Sequence, residues 1–254
     1  MFNNLINHLK IWCKNRAEAY HRTYGAFGGI SYVGYRIAYE LEFKLSTLMD
    51  KSFGNVDDIK REIHALIDVH YEPSVSNPAN RVEEHIIDKT NQEFLDYLEE
   101  VVSRKDSLPL VDIPYERVIT GAEASALQAK FRTVWRYENT AYWFPLMGDE
   151  PKEISEKFFI MLDFFEPYMK QFEGIIGLPE SHMYSYGEHT FRPNHCIETA
   201  ELTEYGGCET IYTDKSFSWA VYFSHEETVA FAGSIVPKVK ALLANEIEHW
   251  NKFE

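Results

Sequence analysis

The spacing of apolar residues over the first hundred positions predicts a helical N-terminal part. Apolar side chains recur there at intervals of three and four, which places them on one face of an α-helix. Helices are predicted over residues 2–12, 35–49, 56–67 and 91–103. The last of them follows a capping-box sequence that runs from Thr90 to Glu93, and it ends before Pro109.

The middle of the chain combines helical patterns with short apolar runs. A second capping box, at residues 120–123, predicts the start of another amphipathic helix. A helix is also predicted over residues 167–176, with proline in its first turn and Gly177 as its C-cap. The dense apolar runs at 143–144 and 158–162 are typical of buried strands, and the second run fits a buried helix equally well.

Beyond Gly177 the pattern is mostly that of β-structure. Residues 217–224 alternate between apolar and small or polar side chains, which is the period of a strand that buries one face. Residues 224–227 predict a turn, residues 228–232 the returning strand of a hairpin, and residues 236–250 a closing helix.

These elements predict an α+β fold. A mainly helical part over residues 1–105 is expected to pack with an antiparallel sheet in residues 110–254, a mixed region that is rich in strands after residue 177. The C-terminal helix is expected to cover the sheet. Because no flexible linker separates the two parts, the chain is predicted to form a single integrated domain over residues 1–254.

The charge balance narrows the classes of partner. Forty acidic residues against 25 basic ones give a formal net charge of −15. A negative field of that size repels phosphate backbones and favours encounters with basic proteins, so nucleic acid is not expected as a ligand. The same charge also confers solubility without any partner.

Cysteine usage and hydropathy indicate a cytoplasmic protein. The three cysteines, Cys13, Cys196 and Cys208, cannot all pair within one chain and are too few for a disulfide framework. Polar residues interrupt the apolar N-terminus, so no signal peptide is predicted, and no window is long enough for a membrane span.

One stretch, GLPESHMYSYGEHTFRPNHC at residues 177–196, raises the question of a metal site because it holds three histidines. The hypothesis is a metal-dependent hydrolase in which Glu226 acts as general base or ligand. Its metal ligands would be His182, His189, His195 and His225. The spacing between these residues does not match a known ligand motif, and position 229 is valine where a zincin would need histidine. No cofactor is therefore predicted.

Other motifs of catalysis are missing from the sequence. The glycine-rich segment at residues 25–34 lacks the Gly-Lys-Ser/Thr ending of a P-loop, and no Gly-x-Ser-x-Gly elbow occurs. Aromatic and arginine residues alternate along residues 131–144, and such residues anchor either cores or interfaces. From this segment Arg136 and Trp143 are the candidate binding residues.

The ending SWAVYFSHEETVAFAG, residues 218–233, resembles a strand-turn-strand ending of uncharacterised bacterial proteins that are similar to immunity proteins of toxin systems. The resemblance implies a cytosolic, non-enzymatic, acidic protein that covers a basic toxin. His225 and Glu226 in this ending join Arg136 and Trp143 as candidate binding residues.

The sequence therefore favours an acidic binding protein of the toxin-immunity type, with a basic protein as its partner and with neither nucleic acid nor membrane involved. The metal-dependent hydrolase is the alternative, and a subunit that assembles only with itself is a third interpretation. The sequence makes no prediction of the oligomeric state.

Overall fold

The structure is a computed structural model that describes part of the chain. The described residues are 2–24, 30–67, 80–137, 143, 154, 156–189, 192–202 and 209–253. Their contacts divide the chain into two compact units, Met1–Ile113 and Pro114–Glu254. The single integrated domain that the sequence suggests stays a prediction.

The first unit is helical, as the apolar spacing predicts. Its described helices are α1 (Phe2–Tyr24), α2 (Ile30–Ser46), α3 (Val56–Ile67) and α4 (Asn80–Ser103). The apolar stripes of these helices face one another and form the buried core of the unit. Side chains in this core include Leu5, Leu9, Leu41, Leu45, Ile59, Ile63, Phe94 and Leu98.

The capping box at Thr90 is not the start of a helix, so this prediction is wrong. Helix α4 begins ten residues earlier, at Asn80. Thr90 is fully buried, and its hydroxyl lies 2.8 Å from the hydroxyl of Tyr20. The physical reason is periodicity: Ile86, Thr90 and Phe94 are four residues apart and share the buried face of α4.

The close packing of α1 against α2 depends on Gly34. A Cβ atom at this position would lie 2.4 Å from the ring of Tyr20. Real Cβ contacts are longer than this, so the aromatic ring occupies the space that a side chain would need. The glycine-rich segment at residues 25–34 thus contributes a packing glycine rather than a phosphate loop at its described end.

The second unit is built on an antiparallel sheet of seven described strands in the order β1-β4-β3-β5-β6-β7-β2. The strands are β1 (Glu116–Ile119), β2 (Lys157–Met161), β3 (Met183–His189), β4 (Arg192–Thr199), β5 (Thr210–Asp214), β6 (Trp219–Phe223) and β7 (Thr228–Gly233). Helices cover both faces: α5 (Gly121–Trp135) lies on one, and α6 (Leu162–Phe165), α7 (Met169–Ile176) and α8 (Val236–Leu242) lie on the other.

Both faces of the central strands are buried, which corrects the expectation of a half-buried strand. On β6, Ala220 and Tyr222 belong to the core under α5, whereas Val221 and Phe223 belong to the core under α6, α7 and α8. On the α5 side the small residues Ala220, Ala230 and Ala232 leave room for the large aromatic rings of that helix, such as Trp135.

The α+β fold class is confirmed, with helices in the N-terminal part and the antiparallel sheet and a final helix in the C-terminal part. Residues 157–161 form a strand rather than a buried helix, and Gly177 ends α7 with φ of 81° as its C-cap. Helix α8 is shorter than predicted because the chain changes to a 3-10 helix over Ala244–His249. The short edge strand β1 was not predicted.

Candidate functional site

Three segments meet at one end of the sheet in the second unit. The turn over residues 224–227 joins β6 to β7, and the start of β5 lies beside it because Thr210 pairs with Phe223. The third segment follows β2: the backbone N–H of Leu162 donates a hydrogen bond to the carbonyl of Glu227 at 2.7 Å. Backbone pairing therefore fixes these three segments next to one another.

The three segments carry carboxylates and contain neither lysine nor arginine. The sequence over residues 161–168, 209–210 and 223–228 has no Lys or Arg. We call the acidic residues of these segments the acidic end, and they are Asp163, Glu166, Glu209, Glu226 and Glu227. All of them except Glu209 are exposed. The three segments thus contribute five carboxyl groups and neither lysine nor arginine to this end of the sheet.

Glu209 anchors the turn between β6 and β7. Its Oε1 atom accepts hydrogen bonds from the backbone N–H of His225 at 3.2 Å and from the Ser224 hydroxyl at 3.3 Å. The same oxygen contacts Nδ1 of the His225 ring. The other ring nitrogen, Nε2, lies 3.3 Å from Oε1 of Glu226. The imidazole therefore sits between the carboxylates of Glu209 and Glu226.

Burial perturbs the Glu209 carboxyl. It raises the pKa of Glu209, and the hydrogen bonds from His225 and Ser224 reduce this rise without cancelling it. Oε2 of Glu209 is buried and has no hydrogen-bond partner among the described residues. A buried carboxylate oxygen without a donor is costly. The acidic end thus includes one carboxylate that is incompletely satisfied.

His225 and Glu226, which the sequence identifies as candidate binding residues, lie at the acidic end. Glu209, which holds them in place, was missed. It lies 16 residues before His225, and only the pairing of β5 with β6 brings the two together. A prediction of a strand at residues 210–214, directly before β6, would have placed Glu209 next to His225.

The other two candidate binding residues lie elsewhere. Trp143 is 1 % exposed and packs in the core under α5, where its Nε1 donates to the carbonyl of Trp135 at 2.6 Å. This burial favours a structural role for Trp143. Arg136 caps the C-terminus of α5 in the left-handed conformation, with φ of 56°. Its place at the helix end is a sufficient structural explanation, and its binding role stays a prediction.

The strand register separates the histidines of the metal hypothesis. His182 precedes Met183, which pairs with Asp214 at one end of the sheet, whereas His225 follows Phe223 at the other end. The rows of Met183 and Phe223 are about 14 Å apart along the strands, since each residue advances roughly 3.4 Å, and the two histidines lie beyond these rows at opposite ends. Ligands of one zinc ion lie within about 2.3 Å of it, so His182 and His225 cannot share a metal.

His189 and His195 lie on neighbouring strands rather than on one strand face. His189 ends β3, and His195 on β4 pairs with Gly187. Three strand spacings of about 4.8 Å separate β4 from β6, which leads to His225. The side chain of His189 lies outside what the structure describes. Within the described ranges, no group of three or more His, Cys, Asp and Glu side chains is arranged to hold a metal ion.

Neither of the described cysteines is placed as a nucleophile. Cys13 and Cys196 are free and buried, and Cys208 lies outside the described residues. Burial raises the pKa of Cys196 to about 12. The thiolate is the reactive form of cysteine, so a thiol with this pKa is inert at neutral pH. His195 and Cys196 are consecutive residues of β4, so their side chains point to opposite faces of the sheet and do not form a catalytic dyad.

His182 belongs to a different cluster, at the opposite end of the sheet. Its ring stacks on Tyr115 at 4.1 Å, and its Nδ1 lies 3.4 Å from Oε1 of Glu198. Glu198 also accepts hydrogen bonds from Arg117 at 2.9 Å and from Lys215 at 2.6 Å. Burial raises the pKa of Glu198, but the bonds from Lys215 and Arg117 outweigh it, so the pKa lies below its ordinary value. This cluster joins β1, β4 and the turn after β5.

Glu198→Gln is expected to reduce the free energy of unfolding by about 1–3 kcal/mol at neutral pH, because it removes charged hydrogen bonds from a side chain that is largely buried. A depressed pKa gives stability that is present above the unfolded pKa and is lost as the pH falls through the folded pKa. The difference between wild type and variant should therefore shrink below about pH 4. Urea unfolding at pH 7 and in acid measures it.

The exposed neighbour Glu201 provides the control, since its side chain makes no described ion pair in the second unit. Glu201→Gln should change stability by about 0.5 kcal/mol or less at either pH. A stability difference for Glu198→Gln that persisted unchanged in acid would show that the cluster acts through packing rather than through charge.

No family model matches this chain, and neither a curated protein nor a solved structure does. The function has to be inferred from the residues themselves. Among the described residues, no helix combines the length and the apolar character that crossing a bilayer requires.

Proposed function

We propose that this chain is a non-enzymatic, acidic binding protein of the toxin-immunity type, which acts in the bacterial cytoplasm and covers a basic protein. The surface that would meet the partner is the acidic end. The observation that carries the proposal is the concentration of carboxylates there, on three segments that contain no lysine or arginine.

The carboxylates of the acidic end would act on a basic partner through long-range electrostatic attraction. Carboxylates gathered at one end of a molecule attract a basic partner and orient it during diffusion, so they raise the association rate most at low ionic strength. Most of the excess negative charge of the chain also falls on residues 114–254. The long-range field and the local surface thus favour the same kind of partner.

The contact between Glu209 and His225 contributes rigidity. It ties the turn over residues 224–227 to the start of β5, so Glu226 and Glu227 are presented at fixed positions. A surface that is already ordered loses less conformational entropy when it binds. This is how a short turn would support a specific interface rather than a diffuse attraction.

The experiment compares two variants of the full chain that carry the same net charge. The first, Glu226→Gln with Glu227→Gln, neutralises two exposed carboxylates of the acidic end. The second, Glu180→Gln with Glu201→Gln, neutralises two exposed carboxylates elsewhere in the second unit. A fluorescently labelled decalysine peptide serves as the basic probe, and fluorescence anisotropy at low salt measures its affinity.

The first variant should bind decalysine about three- to tenfold more weakly than wild type, because each exposed ion pair contributes roughly 0.2–1 kcal/mol. The second variant should lose clearly less. Equal losses in the two variants would mean that only the total charge matters, and the proposal that the acidic end is the binding surface would then be abandoned.

A further inference from the structure

The C-terminal residues 250–253 cross the outer edge of the sheet in the second unit. Strand β2 is the last strand at one edge of the sheet that the described strands form. The backbone N–H of Asn251 donates to the carbonyl of Phe159 at 2.8 Å, and the backbone N–H of Phe159 donates to Oδ1 of Asn251 at 3.1 Å. A single residue therefore satisfies both polar backbone groups that Phe159 presents at the edge.

The aromatic residues on either side of Asn251 contact opposite faces of β2. The ring of Trp250 lies 5.1 Å from that of Phe158, and the ring of Phe253 lies 4.6 Å from that of Phe159. Phe158 and Phe159 belong to the two different cores of the sheet. Residues 250–253, which we call the strap, thus pass from one face of β2, over its edge, to the other face.

Among the described residues, the strap covers the middle of the outer edge of β2. The bond from Leu162 to Glu227 and the bond from the Gly233 N–H to the Glu156 carbonyl show that the even-numbered positions of β2 face β7. The outward positions are therefore Lys157, Phe159 and Met161. An open strand edge is a template for another strand, and proteins commonly cover such edges or place lysine on them. With Phe159 closed, no two consecutive outward positions are available.

The edge is complementary to itself. In an antiparallel pair of two β2 strands centred on Phe159, Lys157 of each copy would lie opposite Met161 of the other. Like charges would not meet, and identical patches would face each other across a two-fold axis, as in a symmetric dimer. A second copy of this chain is thus a strand that can pair with this edge without like charges meeting.

The strap itself is held incompletely. Nε1 of Trp250 is buried and has no hydrogen-bond partner among the described residues, which destabilises the closed position. Phe253 remains 60 % exposed although it contacts Phe159. Asn251 has φ of 57°, a left-handed conformation that asparagine tolerates better than most residues. These features weaken the closed position of the strap, which the packing of Trp250 against the core under α6, α7 and α8 favours.

We propose that the strap closes the edge of β2 and that its release exposes a self-association surface, through which β2 pairs with β2 of a second copy of this chain. Closure keeps the chain unpaired at this edge, and opening extends the sheet across the two-fold axis. This inference is independent of the proposed function because none of the five carboxyl groups of the acidic end takes part in the pairing.

Asn251→Pro in the full chain tests the strap. Proline removes the N–H donor, lacks the side-chain acceptor and cannot adopt a positive φ, and it leaves every residue of β2 intact. The weight-average mass of the variant should rise with concentration from the 29.7 kDa of a single chain toward twice that value, and it should exceed that of wild type at each concentration. In dilute solution its Phe159 amide should exchange about tenfold faster or more than in wild type.

A second substitution identifies the edge that pairs. Met161→Pro removes an outward N–H that a second strand would need, while φ at this position is already −63°. Adding Met161→Pro to Asn251→Pro should reverse the rise in mass. Association that survives this addition would use another surface and would overturn the proposal, as would a variant that stays at the mass of wild type.

If the hydrogen-exchange rate of the Phe159 amide were the same in Asn251→Pro and in wild type, Asn251 would not close the edge. This result too would overturn the proposal. Should Asn251→Pro fail to fold, Phe253→Ala keeps the proposal testable, because it weakens the strap from an exposed position. The same rise in mass, reversed by Met161→Pro, is then expected at higher concentrations, and its absence would contradict the proposal.

Discussion

Gly187→Ala is expected to reduce the free energy of unfolding by about 3 kcal/mol or more, which is a large share of the stability of an ordinary domain. A Cβ atom at this position would lie 2.1 Å from the carbonyl oxygen of Glu209 and 2.8 Å from Cα of Thr210. Both of these atoms are backbone, so the clash can be relieved only by separating β3 from β5. Chemical denaturation of the two proteins measures the loss.

Gly121→Ala is the matched control for this prediction. Gly121 also has a positive φ, of 62°, but a Cβ atom there would meet nothing within 4 Å. Its substitution should cost about 1 kcal/mol, from backbone strain alone. Similar losses for the two variants would contradict the close approach of β3 to β5 that positions Glu209.

Trp143→Ala should cost about 3–5 kcal/mol, the range found when large aromatic residues are removed from cores. Trp143 is almost completely buried, and its ring lies 6.5 Å from the ring of Trp135 and 5.8 Å from that of Tyr222. The substitution removes these contacts and the hydrogen bond to the Trp135 carbonyl. Thermal and urea unfolding measure the effect.

Trp143→Phe separates the two contributions, since it keeps an aromatic ring and loses the donor. Its cost should be clearly smaller than that of the alanine variant. If Trp143→Ala left stability unchanged and weakened only the binding of decalysine, Trp143 would be a binding residue, as its aromatic surroundings in the sequence suggested.

Local patterns in the sequence predicted much of the fold. The apolar spacing gave helix α3 with its bounds, and Gly177 marked the end of α7 because glycine adopts the left-handed C-cap conformation without strain. Residues 224–227 form the predicted turn between two strands. Each of these features depends on neighbours within a few positions along the chain.

What the sequence did not predict depends on contacts between distant residues. Thr90 has the local signature of a helix start, and only the buried position opposite Tyr20 overrides it. Only the register of β5 against β6 brings Glu209 next to the turn that carries His225. The separation of His182 from His225 likewise follows from strand pairing and not from their spacing. Register is not encoded in any short segment.

The central claim is that the acidic end is the surface that meets a basic partner, and an NMR titration of the full chain with decalysine tests it most directly. The largest amide shift changes should fall on Glu209 and on residues 224–227, and they should fade at about 0.5 M salt, where screening shortens the reach of charge. Shift changes spread evenly over all exposed acidic residues, or centred near Glu180 and Glu201, would contradict the claim.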